Sequence, residues 1–377
     1  MNPEEFGMSP SGRLVKARTG YRAFVPAPLP PDLNWKSPLV SILAEAERHL
    51  AQLAALSGVL PPPELLVQPF VRREAVLSSR IEGTRASLVD LYDFEAGQLE
   101  LPDQPSDVRE VHNYVRALNY GLDRLMSLPV SLRFIREIHK VLMEGVRGEH
   151  LTPGEFRRTQ NWIGPANSTI ETAPYVPPPV VEMLPALGAL ETTIHARSDL
   201  PLLVRAGLIH YQFEAIHPFL DGNGRIGRLL MILLLHEWKL LPRPLLYLSA
   251  YFESHRPQYY DRLLAVSQRG DWEGWLRFFL QAVSTEAEDA SARGAQLQTL
   301  REQYHSLLRG ERAAGRLLRA LDVVFEHPVL SVRQMEAALE VPFLTAQRYV
   351  EKLERLGILR EVTGRPRNRR YRADAIL

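Results

Sequence analysis

Twelve consecutive residues, 217–228, read HPFLDGNGRIGR and gather several kinds of chemistry into one turn. An imidazole takes up a proton near neutral pH, so His217 is a candidate base. Asp221, four residues on, offers a hard oxygen ligand. Gly222, Asn223 and Gly224 let the backbone turn tightly and bring N–H groups close to an anion. Arg225 and Arg228 add fixed positive charge and, three residues apart, share one face of a first helical turn. The LLMILLL run at 229–235 is apolar on every side, as a fully buried helix is. The turn therefore opens a buried helix, whose free N–H groups and dipole favour a phosphate. A metal pair of His217 and Asp221 would need a regular helix between them, which Pro218 and the glycines oppose. His210, on the preceding segment, reads as a satisfied histidine rather than a ligand.

The elements that must position this turn are helical. The chain has 377 residues, enough for two or three domains, and is 45% hydrophobic and 24% charged. A net charge of +1 gives no global field toward nucleic acid or membrane. The count of Cys is 0, which excludes disulfides, zinc thiolates and thiol nucleophiles and fits a cytoplasmic protein. The N-terminal stretch MNPEEFGMSPSGRL lacks an apolar run of signal-peptide length, and no span is long enough to cross a bilayer.

Residues 1–35 read as an extended, Pro-rich arm. Helices are expected over 37–57, 64–81, 86–94, 107–126 and 131–143, the last with Ser131 as N-cap. Residues 154–179 carry Gly and Pro punctuation and form a long loop, in which 169–176 can make a hairpin. A helix over 201–216 delivers His217. A helix over 271–279 closes this domain. Residue Glu82 sits in the last turn of the second helix, where the dipole prefers cations, so it calls for a partner elsewhere. Gly83 after it is the expected left-handed C-terminal residue.

The twelve-residue turn resembles the signature of the Fic family, H-x-F-x-[D/E]-G-N-G-R-x-x-R, at every fixed position. The resemblance implies an all-α, Fic-type helical core with a β-hairpin flap. It also implies transfer of AMP from ATP to a Ser, Thr or Tyr hydroxyl of a protein. His217 would be the base, and Asp221 would hold Mg²⁺. Gly222, Asn223, Gly224, Arg225 and Arg228 would cradle the phosphates. Ser78, Glu82 and Gly83 match the family's inhibitory pattern, [S/T]-x-x-x-E-[G/N], in which Glu82 would occupy Arg228 and block the γ-phosphate. The 154–179 loop resembles the flap that adds a strand to a target, with Thr169, Ile170, Glu171, Thr172, Ala173, Pro174, Tyr175 and Val176 as docking residues. Tyr247 and Tyr251 suit an adenine ring. His255 stands where relatives often carry an Asn. Relatives that phosphorylate proteins have a Lys where Gly224 stands, which favours nucleotidyl transfer, with UMP as an alternative donor.

The C-terminal residues predict a polar connector helix over 285–311, an apolar pattern over 312–325 and a capping box at Ser331–Gln334. A second helix follows at 342–356, and then strands at 358–362 and 369–372. This pattern resembles a winged helix-turn-helix. Arg365, Arg367, Arg369, Arg370 and Arg372 would lie on its wing, suited to DNA phosphates or, as a charged face, to protein docking. The expected organisation is an arm with regulatory helices at 1–106, a catalytic core at 107–285, and a connector with winged helix at 286–377. Expected partners are a hydroxyl-bearing protein, a second copy of the chain as a homodimer, and DNA through the wing, with no membrane. The rival readings are a DNA-binding regulator whose core senses nucleotide or modifies only itself, and an enzyme that removes AMP.

Overall fold

The apolar run at 229–235 has no polar face, and in the computed structural model of the chain all of its side chains are buried. The structure describes every residue except 18–19, 36, 60–62, 98–105, 149, 166, 312–313 and 365–367. A hairpin of β1 (Gly12–Lys16) and β2 (Arg22–Pro26) comes first. Then follow α1 (Ser37–Val59), α2 (Pro63–Ile81), α3 (Leu88–Glu95), α4 (Ser106–Leu125) and α5 (Leu132–Leu142). After a long loop come α6 (Val180–His195), α7 (Leu202–Ile216), α8 (Asn223–Glu237), α9 (Ser249–Ser254), α10 (Arg256–Arg269) and α11 (Trp272–Arg309). The C-terminal unit adds α12 (Ala314–Glu326), β3 (Val329–Ser331), α13 (Val332–Leu339), α14 (Phe343–Arg355), β4 (Arg360–Glu361) and β5 (Arg370–Arg372). The all-α architecture with a few short strands is as expected.

Helix α8 is the hub, touched by α7, α4, α5 and α2. Each fully buried Leu or Ile along it contributes roughly 1.5–3 kcal/mol. Local signals set the starts of its neighbours. Ser131 Oγ accepts from the Phe134 N–H at 3.3 Å and caps α5, as its sequence position predicts. Ser331 and Gln334 cap α13 reciprocally, and Ser87 and Asp90 do the same for α3.

The N-terminal arm is more ordered than its prolines suggest. Residues 12–16 and 22–26 pair as antiparallel strands, with Leu14 opposite Phe24. Phe6 and Phe24 are buried against Tyr175 of the long loop, at 6.3 and 6.1 Å between ring centroids. The Phe24 N–H donates to the Val176 carbonyl at 2.9 Å, so the arm is bonded to the loop. The connector also differs from expectation. α11 is one helix of 38 residues, with no break between the expected closing helix and the expected connector. Residues 272–309 hold no proline, and the pattern only changes from apolar to polar as the helix leaves the main core. The 285/286 boundary thus falls inside one continuous rod.

The C-terminal unit has its own core, with Leu321, Phe325, Met335, Val350, Leu353 and Tyr371 buried together. Its sheet runs in the order β3-β5-β4, all antiparallel. It leans on the N-terminal helices: α12 packs on α2, and Arg370 pairs with Asp93 of α3. Arg372 pairs within the unit, with Asp374. Arg365 and Arg367 lie outside the described residues. No helix among the described residues is long and apolar enough to cross a membrane.

Candidate active site

α7 ends at His217, which adopts a left-handed conformation (φ 49°, ψ 63°) and bonds its N–H to the Phe213 carbonyl at 3.0 Å. The turn it opens is locked by Asn223. Asn223 Oδ1 accepts from the Phe219 N–H, and its Nδ2 donates to the Phe219 carbonyl, both at 2.8 Å. The Asn223 side chain therefore holds the turn, rather than facing a ligand. Gly222, at φ 78°, caps α8 and leaves the first N–H groups of that helix without a side-chain cap.

The imidazole of His217 has 20% of its surface exposed. Its Nδ1 lies 3.3 Å from the Glu214 carbonyl, so Nδ1 carries the hydrogen and Nε2 holds the free lone pair. Burial, then the Arg157 charge, pushes its pKa down to about 4, leaving a neutral base at pH 7. The Glu214 carboxyl lies 4.0 Å from Nδ1. Burial raises its pKa to about 8, and its Oε1 has no hydrogen-bond partner.

Asp221 keeps 39% of its side chain exposed, and its Oδ1 accepts from the Gly222 N–H at 2.6 Å. Behind it stands His139, which the amphipathic pattern of α5 marks only as surface or core. Its Nδ1 accepts from the Gly154 N–H at 2.8 Å, so its Nε2 must donate, and it does so to the Asp221 carbonyl at 3.0 Å. The ring stacks on Phe219 at 3.7 Å. Burial lowers its pKa to about 4, so this neutral tautomer persists. His210 is satisfied in the core, as expected: its Nε2 meets the Tyr259 hydroxyl at 2.7 Å.

The two motif arginines do different things. Arg225 is buried, and its Nη1 donates to Glu110 Oε2 at 3.0 Å. Its guanidinium ties α8 to α4. Arg228 faces the end of α2. Its Nε donates to Ser78 Oγ at 2.8 Å, and its Nη2 donates to the Ser78 carbonyl at 3.0 Å and to Glu82 Oε1 at 2.6 Å. Burial pushes the Glu82 carboxyl up, but the Arg228 charge wins and holds it below its usual range. The C-terminal bonds of α2 aim Glu82 there. Gly83 is left-handed (φ 99°), its N–H bonds to the Arg80 carbonyl, and the Thr84 N–H bonds to the Ser79 carbonyl. Gly224 leaves room for the pair, because a Cβ there would collide with Glu82 Oε1.

The expected adenine and flap residues fare unevenly. Tyr247 is buried against Phe70, 6.5 Å between centroids, and belongs to the core rather than to an open pocket. Tyr251 is half-buried and stacks on His255 at 4.2 Å. The long loop closes at one antiparallel bridge between Ile163 and Tyr175, so the hairpin spans more than 169–176. Within it, the carbonyl of Thr169 accepts from the N–H groups of Thr172 and Ala173, making a tight turn. Ile170 is half-buried; Thr169, Glu171, Thr172 and Pro174 are exposed. Ala173, Tyr175 and Val176 are buried under the arm and are closed to a docking partner, which corrects their assignment.

Arg157 and Asn161, which the sequence does not single out, fasten this loop to the turn. Arg157 Nε donates to the His217 carbonyl at 2.9 Å, and Asn161 Nδ2 donates to the Phe219 carbonyl at 2.8 Å. Taken together, the site offers a neutral base, an exposed carboxylate and open helix N–H groups. An internal carboxylate, Glu82, sits on Arg228.

Comparison with known proteins agrees with this geometry. Residues 40–123 match the Fic/DOC family N-terminal model, and residues 129–235 match the Fic/DOC family model. The chain is 34% identical over 151 residues to Protein adenylyltransferase Fic of Culex quinquefasciatus, covering 40% of this chain and 27% of that protein. It is 28% identical over 252 residues to Protein adenylyltransferase Fic of Drosophila willistoni, covering 62% of this chain and 45% of that protein. It thus spans less than half the length of these curated relatives. A Fic family protein from Desulfovibrio desulfuricans shares the fold with a TM-score of 0.59 at 19% identity, over 92% of this chain and 98% of that one. Fic-1 from C. elegans does so with a TM-score of 0.54 at 21% identity, over 70% of this chain and 75% of that one. By these two model matches, residues 40–123 and 129–235 of this chain belong to the Fic/DOC family.

Proposed function

We propose that the chain is a protein adenylyltransferase that its own second helix holds in check. In this reading a target hydroxyl gives its proton to Nε2 of His217 as its oxygen bonds to the α-phosphorus of ATP. The bond from that phosphorus to the bridging oxygen breaks, and pyrophosphate leaves with the electron pair. The free N–H groups at the start of α8 meet the negative charge on the phosphates. Asp221 fits Mg²⁺, which is commonly held by one or two carboxylates together with substrate phosphates. Its carboxylate is exposed on the turn, and no larger cluster of ligating side chains lies among the described residues. When bound there, the ion would neutralise phosphate charge.

The observation that carries this reading is the 2.6 Å bond between Glu82 and Arg228 beside the α8 terminus. A guanidinium so placed suits an outer phosphate, and a carboxylate on it excludes that phosphate. The names of the curated relatives support the same activity. Mass spectrometry of the Glu82→Gly protein, after incubation with ATP and Mg²⁺, tests the proposal. Added AMP on this chain or on a co-incubated protein supports it. Intact ATP and unmodified protein under all conditions would sink it.

For the C-terminal unit, the Asp93–Arg370 pair and the packing of α12 on α2 favour docking on the N-terminal helices over phosphate binding. A winged helix that docks on its own chain, rather than a DNA reader, is the proposed role.

A further inference from the structure

Arg157 is one of the largest fully buried side chains of the protein, with 1% of its surface exposed. A buried guanidinium is normally matched by a carboxylate. Here no carboxylate lies within ion-pairing distance among the described residues. Every hydrogen-bond partner of the side chain is a backbone carbonyl. Nε donates to His217 at 2.9 Å, and Nη2 donates to Pro178 at 2.6 Å and Ile216 at 3.4 Å. Nη1 donates to Thr159 at 3.4 Å. The residue's own N–H donates to the Pro218 carbonyl at 2.9 Å.

The chosen carbonyls are telling. Thr159 and Pro178 are the two legs of the long loop. Ile216 and His217 are the end of α7, where helix carbonyls lack intrahelical partners. His217 is also a non-glycine residue in the left-handed region, a conformation that surrounding structure must impose at a cost of about 1–3 kcal/mol. One rigid fork therefore fastens both legs of the loop to the peptide of the base.

We propose that Arg157 is a positioning residue for AMP transfer: it couples the loop that presents the target to the backbone of His217, so that seating a target and placing the base are one event. The proposal rests on the adenylyltransferase reading of the site. Its charge has a second effect. Four groups face the His217 ring with charge or a titratable proton: Arg157 from the loop, Glu82 from the end of α2, Glu214 from α7 and Asp221 from the turn. Of these only Arg157 is cationic, and next to burial it does most to keep the imidazole unprotonated.

The test compares Arg157→Gln and Arg157→Lys, each in the Glu82→Gly protein. Both variants are expected to bind ATP within about twofold of the reference by calorimetry, and to lose kcat by roughly 100-fold, as an ångström-scale misplacement does. The acid limb of the rate profile should move to higher pH in Arg157→Gln and stay in place in Arg157→Lys, which keeps the charge. Hydrogen exchange adds a readout that needs no activity. Amides at 163–175 and 217–219 should lose protection together in both variants, while α8 stays protected. Unchanged kcat with bound ATP, or loosening of the loop alone with 217–219 still protected, overturns the proposal. A Glu82→Gly reference that transfers no AMP would bring down the reading of the site, and the exchange data would still decide whether Arg157 couples the two segments.

Discussion

Glu82 Oε1 and Arg228 Nη2 lie 2.6 Å apart across 146 positions of sequence, and the same guanidinium is held on its other side by Ser78. Nε and Nη2 of Arg228 are thus both engaged by the end of α2. Freeing it should matter more for how ATP lies than for whether it binds. Glu82→Gly is expected to raise AMP transfer by on the order of 100-fold, the scale of a corrected misplacement, with a smaller change in ATP affinity. Arg228→Ala added to Glu82→Gly should cancel the gain. Labelled ATP and calorimetry on the three proteins measure both quantities. A double variant as fast as Glu82→Gly would show that Arg228 is not the group that Glu82 blocks.

His217 should behave as a base that is neutral well below the usual imidazole range. With a pKa of about 4, its free Nε2 persists at pH 6, where an unperturbed imidazole would be largely protonated. Removing Glu82 takes away an anion that raises this pKa, so the value in Glu82→Gly moves further down. AMP transfer by Glu82→Gly should therefore stay level from pH 8 to pH 6. His217→Ala should lose about 10² to 10⁴-fold at every pH in that range while its melting transition is kept. A rate that halves near pH 6.5 would mean that the imidazole is not shielded as the geometry indicates.

Much of this site was legible in the sequence because its chemistry is contiguous. His217, Asp221 and the glycines are neighbours along the chain, and Gly83 announces the end of α2. What was not legible depends on contacts across long sequence separations. Nothing in the amphipathic pattern of α5 marks His139 as the support of Asp221, because its partner lies 82 positions away. Arg157 reads as one of several loop arginines until its carbonyl partners are seen. The buried partner of Arg225, Glu110, is likewise distant along the chain, on α4. The arm hairpin is not legible in the sequence because the surrounding prolines mask the alternation of 12–16 and 22–26, and its anchor, Tyr175, belongs to another segment.

The full chain should show little retention of DNA. Arg370 and Arg372, two of the wing arginines, are paired with Asp93 and Asp374. Gel shift with a mixed duplex at low salt is expected to leave the DNA unretarded. A retarded band whose log–log salt slope steepens by about 0.9 for each phosphate engaged would restore the DNA-binding reading. Asp93→Asn, which removes the carboxylate paired with Arg370, is the variant most apt to gain such a band.

The last prediction concerns Glu214, whose carboxyl is buried beside His217 and has one oxygen without a partner. Its pKa is about 8 in the folded protein against an ordinary value of 4.5. Below pH 4.5 the carboxyl is protonated whether the chain is folded or not, so it imposes no pH-linked penalty. Between 4.5 and 8 the folded protein binds more protons than the unfolded chain, so stability falls as pH rises through this window. Above pH 8 the penalty is complete and constant. Glu214→Gln removes the titration. Any offset from placing an amide in the slot is independent of pH, and the histidines shifted by burial are common to both proteins. The stability difference between Glu214→Gln and wild type should therefore move in favour of the variant from pH 5 to pH 8. Urea denaturation at the two pH values measures it. An unchanged difference would show that the carboxyl titrates normally. A difference that moves the other way would show that Glu214 is ionised and paired with Arg228, as a second internal carboxylate beside Glu82.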